Sequence, residues 1–304
     1  MSYANSSLVP SFNRQPSQVA IRAVSSYEAD VEAILWETLQ EFQLPVRDKA
    51  VLIKPNFVEP DAQGVINTHP IVIRAAREAF LRFGAKSVTV AEGPGHERDA
   101  EGIAEVLRLR NYLGPLESTF VDLNTDEVSE VPTRTQASKL KALCLPKSVL
   151  GADFVVSMPK MKTHHWVGVT LSLKNMFGIV PGNCYGWPKN VLHWAGLSQS
   201  ILDINSTVRP DFAIVDGIVG MEGNGPIQGT PKASGVLVAG DDPVAVDATC
   251  ARIMGLEPER IDYLKRASLL LGNLKEEKIE QRGESIAGVR MPFTMLPAFQ
   301  TLIG

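Results

Sequence analysis

Between Ser157 and Gly182 the chain reads SMPKMKTHHWVGVTLSLKNMFGIVPG, setting Lys160, Lys162, Thr163, His164, His165, Lys174 and Asn175 just after an apolar, strand-like run. No Asp or Glu occurs from Phe154 to Leu202. Ammonium groups and unpaired backbone donors stabilise carboxylate and phosphate oxygens, so an acid-free basic run among glycines and prolines is suited to holding an anion. In an extended segment Lys160, Lys162 and His164 share a face, whereas in a helix the two lysines diverge. Adjacent histidines on an extended backbone point to opposite faces, which favours His164 over His165 as ligand or general base. The structural alternative is that both histidines only satisfy local hydrogen bonds.

Further polar groups stand at the ends of other apolar runs. Lys54 and Asn56 occur in IKPNF, where Pro55 keeps its predecessor extended and aims the chain out of the sheet; the alternative is a lysine snorkelling at a sheet edge. Glu92 and Gly93 open EGPGH, either a phosphate-binding turn or a plain one. Lys174 and Asn175 precede glycines that let backbone donors approach an anion. Neither a Walker loop nor a dinucleotide fingerprint is present. Between Asp211 and Gly229 the character reverses, with Asp216 and Glu222 among glycines and no Lys or Arg, and Asp241, Asp242 and Asp247 follow. Oxygen donors of this kind suit Mg²⁺ or Mn²⁺, and His69 or His164 added to them would suit Fe²⁺. The candidate metal set is therefore His69, Asp216, Glu222 and Asp247.

The elements that must position these groups follow from periodicity. A strand is expected over Gln18–Val24, an amphipathic helix over Glu28–Gln43 and a strand over Ala50–Ile53. Pro70 opens a helix to Phe83 with Thr68 as a candidate cap, and Gly84 stops it before a strand over Ser87–Ala91. A helix over Ala100–Leu109 comes next, then an irregular stretch over Asn111–Leu150. Strands over Asp153–Val156, Phe212–Val215 and Gly235–Ala239 lead into MPKMKTHH, DGIVGMEGNGP and GDDP, and a helix capped by Asp241 or Asp242 runs from Pro243 to Ile253. This order predicts an α/β fold, a mostly parallel sheet with helices on both faces and a closely associated second α/β lobe. In such sheets ligands gather outside the strand C-termini, so all five polar strand ends are expected to meet in one crevice.

With 304 residues, 44% hydrophobic and 21% charged, the chain can bury a large core as one domain or two lobes. A formal charge of -4 gives no general attraction to nucleic acid or anionic membrane. Residues 1–17 lack an apolar h-region and a cluster of positive charge, which predicts a loosely ordered lead before a body over 18–304, and a cytoplasmic location. Cys144, Cys184 and Cys250 are too few and too scattered for a cysteine-held cluster, so no intrinsic iron–sulfur centre is expected. Cys184, in PGNCYGWP, is read as cavity lining or a functional thiol. The apolar C-terminus RMPFTMLPAFQTLIG packs on the body or on a second copy in a homo-oligomer.

The strings VLIKPNF, AEGPG, ADFVVSMPKMKTHHWVGVTLSLKNMFGIVPG, IVDGIVGMEGNGPIQGTP and LVAGDDPVAVDATCARIMG together resemble the large prokaryotic DUF362 family, in order from about Val51 to Gly255. The family's recurring charged and turn positions fall on Lys54, Pro55, Asn56, Glu92, Gly93, Lys160, Lys162, Thr163, His164, Lys174 and Asn175. They fall also on Asp216, Gly217, Glu222, Gly223, Gly225, Asp241 and Asp247. Many relatives carry a ferredoxin-like segment that this chain lacks, so the resemblance implies at most a separate redox partner.

These readings combine into an enzyme acting on a small acidic molecule. Lys54, Lys160 and Lys174, with Asn56, Glu92, Gly93, Thr163 and Asn175, are expected to bind it; His164 and Glu222 are expected to move protons, and Lys162 to stabilise an enolate or oxyanion. The alternative is a noncatalytic protein that binds an anion or a metallocofactor for a redox partner.

Overall fold

The computed structural model describes residues 15–95 and 99–304. His96 of the EGPGH loop and residues 1–14 of the expected lead lie outside the described residues. The strands are β1 (Ser17–Ala23), β2 (Ala50–Lys54), β3 (Ser87–Glu92), β4 (Phe120–Asp122), β5 (Val128–Pro132), β6 (Ala142–Pro146), β7 (Phe154–Ser157), β8 (Lys160–His164), β9 (Gly168–Thr170), β10 (Phe212–Glu222), β11 (Thr230–Lys232), β12 (Val236–Gly240) and β13 (Ile279–Gly283). Among the described residues, β5 and β6 form a separate hairpin, and the other strands form an 11-stranded sheet ordered β13-β1-β12-β10-β7-β2-β3-β4, with β8, β9 and β11 attached through β10. The run β10-β7-β2-β3-β4 is parallel throughout, so the sheet is mostly parallel, and its strands come from both halves of the chain.

Alternation within the central strands feeds two cores. Val51 and Ile53 of β2 join Val88 and Val90 under the helices Val31–Gln40 and Pro70–Arg82, whereas Leu52 joins Val155 and Val238 on the other face. There the helices Leu197–Val208 and Pro243–Ile253 cover the sheet. A strand buried on both faces reads as a continuous apolar run, as AVLI and FVV do. Phe293, Met295 and Leu302 of the C-terminal segment are buried against this same body.

Several boundaries move for identifiable reasons. The first helix starts at Val31 because the Asp30 carboxylate accepts the Ala33 N–H. The second is capped by the His69 ring, not by Thr68, whose hydroxyl instead donates to the Met158 carbonyl at 2.8 Å. Asp242 caps the helix Pro243–Ile253 through the Val244 and Ala245 N–H groups. Ser17 already belongs to β1, and its hydroxyl donates to Asp242 at 2.6 Å.

DGIVGME continues β10 where a loop was expected. Asp216 at its centre is fully buried, 3.0 Å from the Lys160 ammonium, and accepts hydrogen bonds from the Tyr27 hydroxyl at 2.9 Å and the His69 N–H at 2.9 Å. Tyr27 stacks on the His69 ring with centroids 3.9 Å apart. This closed cluster ties β8, β10 and the start of the helix Pro70–Arg82 together. Breaking a buried pair by removing one charge costs about 3–5 kcal/mol. Asp216→Asn is expected to lower unfolding stability by about that much in denaturant titrations, with Lys160→Met/Asp216→Asn losing less than the sum of the single changes.

Candidate functional site

The C-terminal ends of β2, β3 and β8 open on a cavity of about 620 Å³. Its wall includes Lys54, Asn56, Glu92, Gly93, Lys162, His164, Lys174 and Asn175 from the expected site, together with His165, Trp166, Lys189 and His193. Parallel pairing of β7, β2 and β3 puts their C-terminal ends on one side, which is why distant segments meet there.

At the floor, the Lys54 ammonium lies 2.7 Å from the Glu92 carboxylate, 2.8 Å from the Pro55 carbonyl and 2.9 Å from Asn175 Oδ1. Both partners of the ion pair are 1% exposed, so little solvent screens them. Glu92 also accepts the Phe57 and Gly93 N–H groups, and the Asn175 amide donates back to the Lys54 carbonyl and to Ser157 Oγ. Gly178 covers this junction, where a Cβ would stand 2.5 Å from both Glu92 Oε1 and Lys54 Nζ. Only glycine permits that approach.

The turn that carries Lys174 and Asn175, Ser172–Asn175, is held from across the core. Asp247 accepts the Ser172 and Leu173 N–H groups at 2.7 and 2.9 Å. Burial pushes its carboxyl up to about 8, against the pull of those donors. Asp247 therefore fixes the turn that carries Lys174 and Asn175.

The other lysines differ in what they touch. Lys189, reached through a left-handed backbone at φ 65°, donates to the carbonyls of Gly93 at 2.6 Å, Gly178 at 3.1 Å and Phe177 at 3.4 Å. Burial lowers it to about 7, with Glu92 opposing and Lys54 and Lys174 assisting. Lys174 lies 4.4 Å from the Phe177 ring centroid, and burial, then repulsion by Lys54, lowers it to about 8 against the pull of Glu92. Lys162 donates to the Ile66 carbonyl at 2.8 Å and more distantly to that of Pro226 at 3.4 Å. Burial first, then repulsion by Lys160 and Lys174, brings it well below the ordinary lysine range. Among the ion pairs of the described residues, none includes Lys162, Lys174 or Lys189.

His164 and His165 both line the cavity, contrary to strand alternation, because β8 ends at His164 and a turn begins at His165. His164 Nδ1 accepts the Trp166 N–H at 3.0 Å, whereas His165 Nδ1 faces the Gly225 carbonyl at 2.8 Å. An N–H only donates and a carbonyl only accepts, so neutral His164 carries its proton on Nε2 and neutral His165 carries it on Nδ1. Burial, then repulsion by Lys174, keeps the His164 ring well below the ordinary histidine range. Trp166 and His193 pack edge to face with centroids 4.7 Å apart, making an aromatic flank.

Other expected site residues lie elsewhere. Lys160 is absent from the wall because its charge is taken up by Asp216, after a register shift in which β10 spends five residues between pairings that β8 spans in two. Thr163 turns away and donates to the Gly223 carbonyl at 2.9 Å. Glu222 is held by Lys232 at 3.1 Å and by the Thr294 N–H at 2.8 Å, outside the cavity. The proposed metal ligands do not converge: His69 and Asp216 share the buried cluster, Glu222 sits at the far end of β10 and Asp247 caps a turn. Among the described residues, no group of three or more His, Cys, Asp or Glu is placed to hold a metal ion. GDDP does not join the cavity, since β12 runs antiparallel to β10 and ends at the opposite edge; Asp241 and Asp242 line a second cavity there. Cys184 lies off the wall, its thiol raised to about 11 by burial and then by a hydrogen bond with Cys144. Lys189 is the cavity cation that the sequence reading passed over, although it falls within the acid-free run.

Residues 51–252 match a family model described as "Domain of unknown function (DUF362)". The chain belongs to the DUF362 family. It is 31% identical over 220 residues to the thylakoid-associated protein sll1697 of Synechocystis sp. (strain ATCC 27184 / PCC 6803 / Kazusa), a match covering 69% of this chain and 64% of that protein. The chain thus spans less than two thirds of that relative's length. Among solved structures, the lactate racemase apoprotein of Thermoanaerobacterium thermosaccharolyticum aligns over 69% of this chain and 51% of its own at 14% identity and a TM-score of 0.43. A Thermotoga maritima protein aligns over 67% and 53%, at 12% identity and a TM-score of 0.34. Among the described residues of this DUF362 chain, no helix is long and apolar enough to cross a membrane.

The lowered lysines predict how an anion offered to this cavity would respond to pH. Below about 7, Lys174 and Lys189 are protonated in the empty cavity; as pH rises through their values of about 8 and about 7 they lose that charge. A bound anion favours the charged forms, so binding at pH 8 takes up protons and affinity falls across this window. Calorimetry with phosphate or a small dicarboxylate, in buffers of different ionisation enthalpy, is expected to show proton uptake.

Proposed function

We propose that the cavity binds a small anionic metabolite and transforms it by acid–base chemistry. The observation that carries this reading is the convergence of Lys162, Lys174 and Lys189 around a floor where Glu92 is already paired with Lys54. Ammonium groups at Lys174 and Lys189, held in a buried wall with no carboxylate ion pair among the described residues, favour an anionic occupant. Two buried polar atoms of the same wall support it, since Asn56 Oδ1 and Thr170 Oγ1 have no hydrogen-bond partner among the described residues. A ligand bearing a hydroxyl or amide beside its acid group would satisfy them.

The roles follow from the hydrogen bonds. Lys174 is the anion's principal contact. His164, with Nε2–H available, donates to an oxygen on which charge develops, and His165, with Nε2 unprotonated, is the base. This moves the general-base role expected of His164 to His165. A separate redox partner and a divalent metal have no assigned place in the proposed reaction.

Incubating the protein with cell extract and following small acids by mass spectrometry tests the reading without a presumed substrate. Depletion of one acid with appearance of one product is expected, and retention of an acid without conversion would assign a binding protein instead. Lys174→Gln is expected to cost about tenfold or more in affinity, a hydrogen bond to a charged group being worth about 1.5–3 kcal/mol. Folded His165→Ala is expected to lose about 10²–10⁴ in turnover while still binding the acid.

A further inference from the structure

The lysines of the cavity are chemically unequal, and their acceptors sort them. Lys54 is surrounded by Pro55, Glu92 and Asn175, which together accept all the hydrogens of an ammonium. Lys189 is likewise surrounded by the carbonyls of Gly93, Phe177 and Gly178. Both are locked as donors. Lys174 has the Phe177 ring beside it, a contact suited to a cation. Lys162 alone among these has carbonyl acceptors, Ile66 and Pro226, for two N–H bonds, with no carboxylate among the described residues paired to it. A neutral amine has two N–H bonds and one lone pair. Two carbonyls match the donors of a neutral amine, whose lone pair would then be free.

We infer that Lys162 is a nucleophile that forms an imine with a small 2-oxo acid whose carboxylate is held by Lys174. The inference rests on the anion-binding reading above and narrows its substrate class. In the step, Lys162 Nζ bonds to the keto carbon and the carbonyl oxygen takes a proton to give a carbinolamine. Loss of that oxygen as water then leaves a C=N bond. The amine's two hydrogens balance the water released, and no oxidant or reductant enters. Burial of Lys162 favours the neutral amine the step requires, and neighbouring Lys160 and Lys174 add to that effect. The imine nitrogen, once protonated, withdraws electrons from the adjacent carbon, so a C–H next to it becomes acidic enough for His165 to remove. Lys162 and His165 line the same cavity.

The test is reductive trapping. Full-length protein is incubated separately with pyruvate, 2-oxobutyrate and 2-oxoglutarate, sodium borohydride is added, and the adduct is located by peptide mass spectrometry. A reduced adduct on Lys162 with at least one of these acids is expected, lost in Lys162→Met and diminished in Lys174→Gln. Mapping in the unaltered protein keeps the test independent of whether Lys162→Met folds. An adduct confined to another lysine, or none with any of the acids, overturns the imine. Calorimetry with the same acids separates the two levels: binding without trapping removes only the nucleophile, whereas no binding of these or any other small acid removes the anion-binding reading as well.

Discussion

The Lys54–Glu92 ion pair is the constraint on which the site depends. Both charges are withdrawn from solvent, so each is tolerable only because the other, and a full set of hydrogen-bond partners, is fixed in place. Those partners come from the end of β2, the end of β3, Ser157 at the end of β7 by way of Asn175, and the turn Ser172–Asn175. Satisfying the pair therefore sets the relative positions of every segment that forms the cavity floor. Gly178 lies close enough above the pair that any side chain would displace it. A cavity floor built on a buried pair is rigid, because moving either partner would expose an uncompensated charge.

The remaining lysines illustrate a different solution to the same desolvation cost. Lys160 is neutralised outright by Asp216 and contributes to stability. Lys162 and Lys189 are held by backbone carbonyls, whose dipoles satisfy N–H groups without cancelling a charge. Dipoles thus let the wall keep an electropositive character that carboxylates would erase. The cost appears as lowered proton affinity, which burial causes in all of these lysines. In the proposed reading an anion that enters restores the missing counter-charge, so the desolvation cost and the ligand affinity share one electrostatic origin.

How much of this was legible in the sequence depended on whether the deciding interaction was local. The apolar runs of β2 and β7, the Pro70 and Pro243 helix starts and the basic run of β8 all carry their signal within a few residues. Long-range pairings do not. The shift of β10 against β8 separates Lys160 from Lys162 despite their shared parity, and the antiparallel entry of β12 sends GDDP away from the cavity. Asp247 looked like a ligand because a carboxylate in sequence does not reveal that backbone N–H groups from residues 172 and 173 already occupy it. Lys189 was hidden for the complementary reason. Its place is set by a left-handed residue in a turn, where neither helical nor strand periodicity points.

The adjacent histidines show how backbone hydrogen bonds assign roles to identical side chains. Alternation along a strand would have sent one of them to the opposite face, but the turn after His164 keeps both on the cavity. Once there, each ring spends Nδ1 on a backbone group of opposite polarity: His164 receives an N–H and His165 meets a carbonyl. The consequence passes through the ring to Nε2, which is a donor in one neutral imidazole and an acceptor in the other. The tautomers of the two neutral rings are therefore set by main-chain geometry in the empty cavity. In the proposed reaction that geometry supplies an acceptor for a substrate proton beside a donor for the oxygen that becomes negative, from two residues that composition alone could not tell apart.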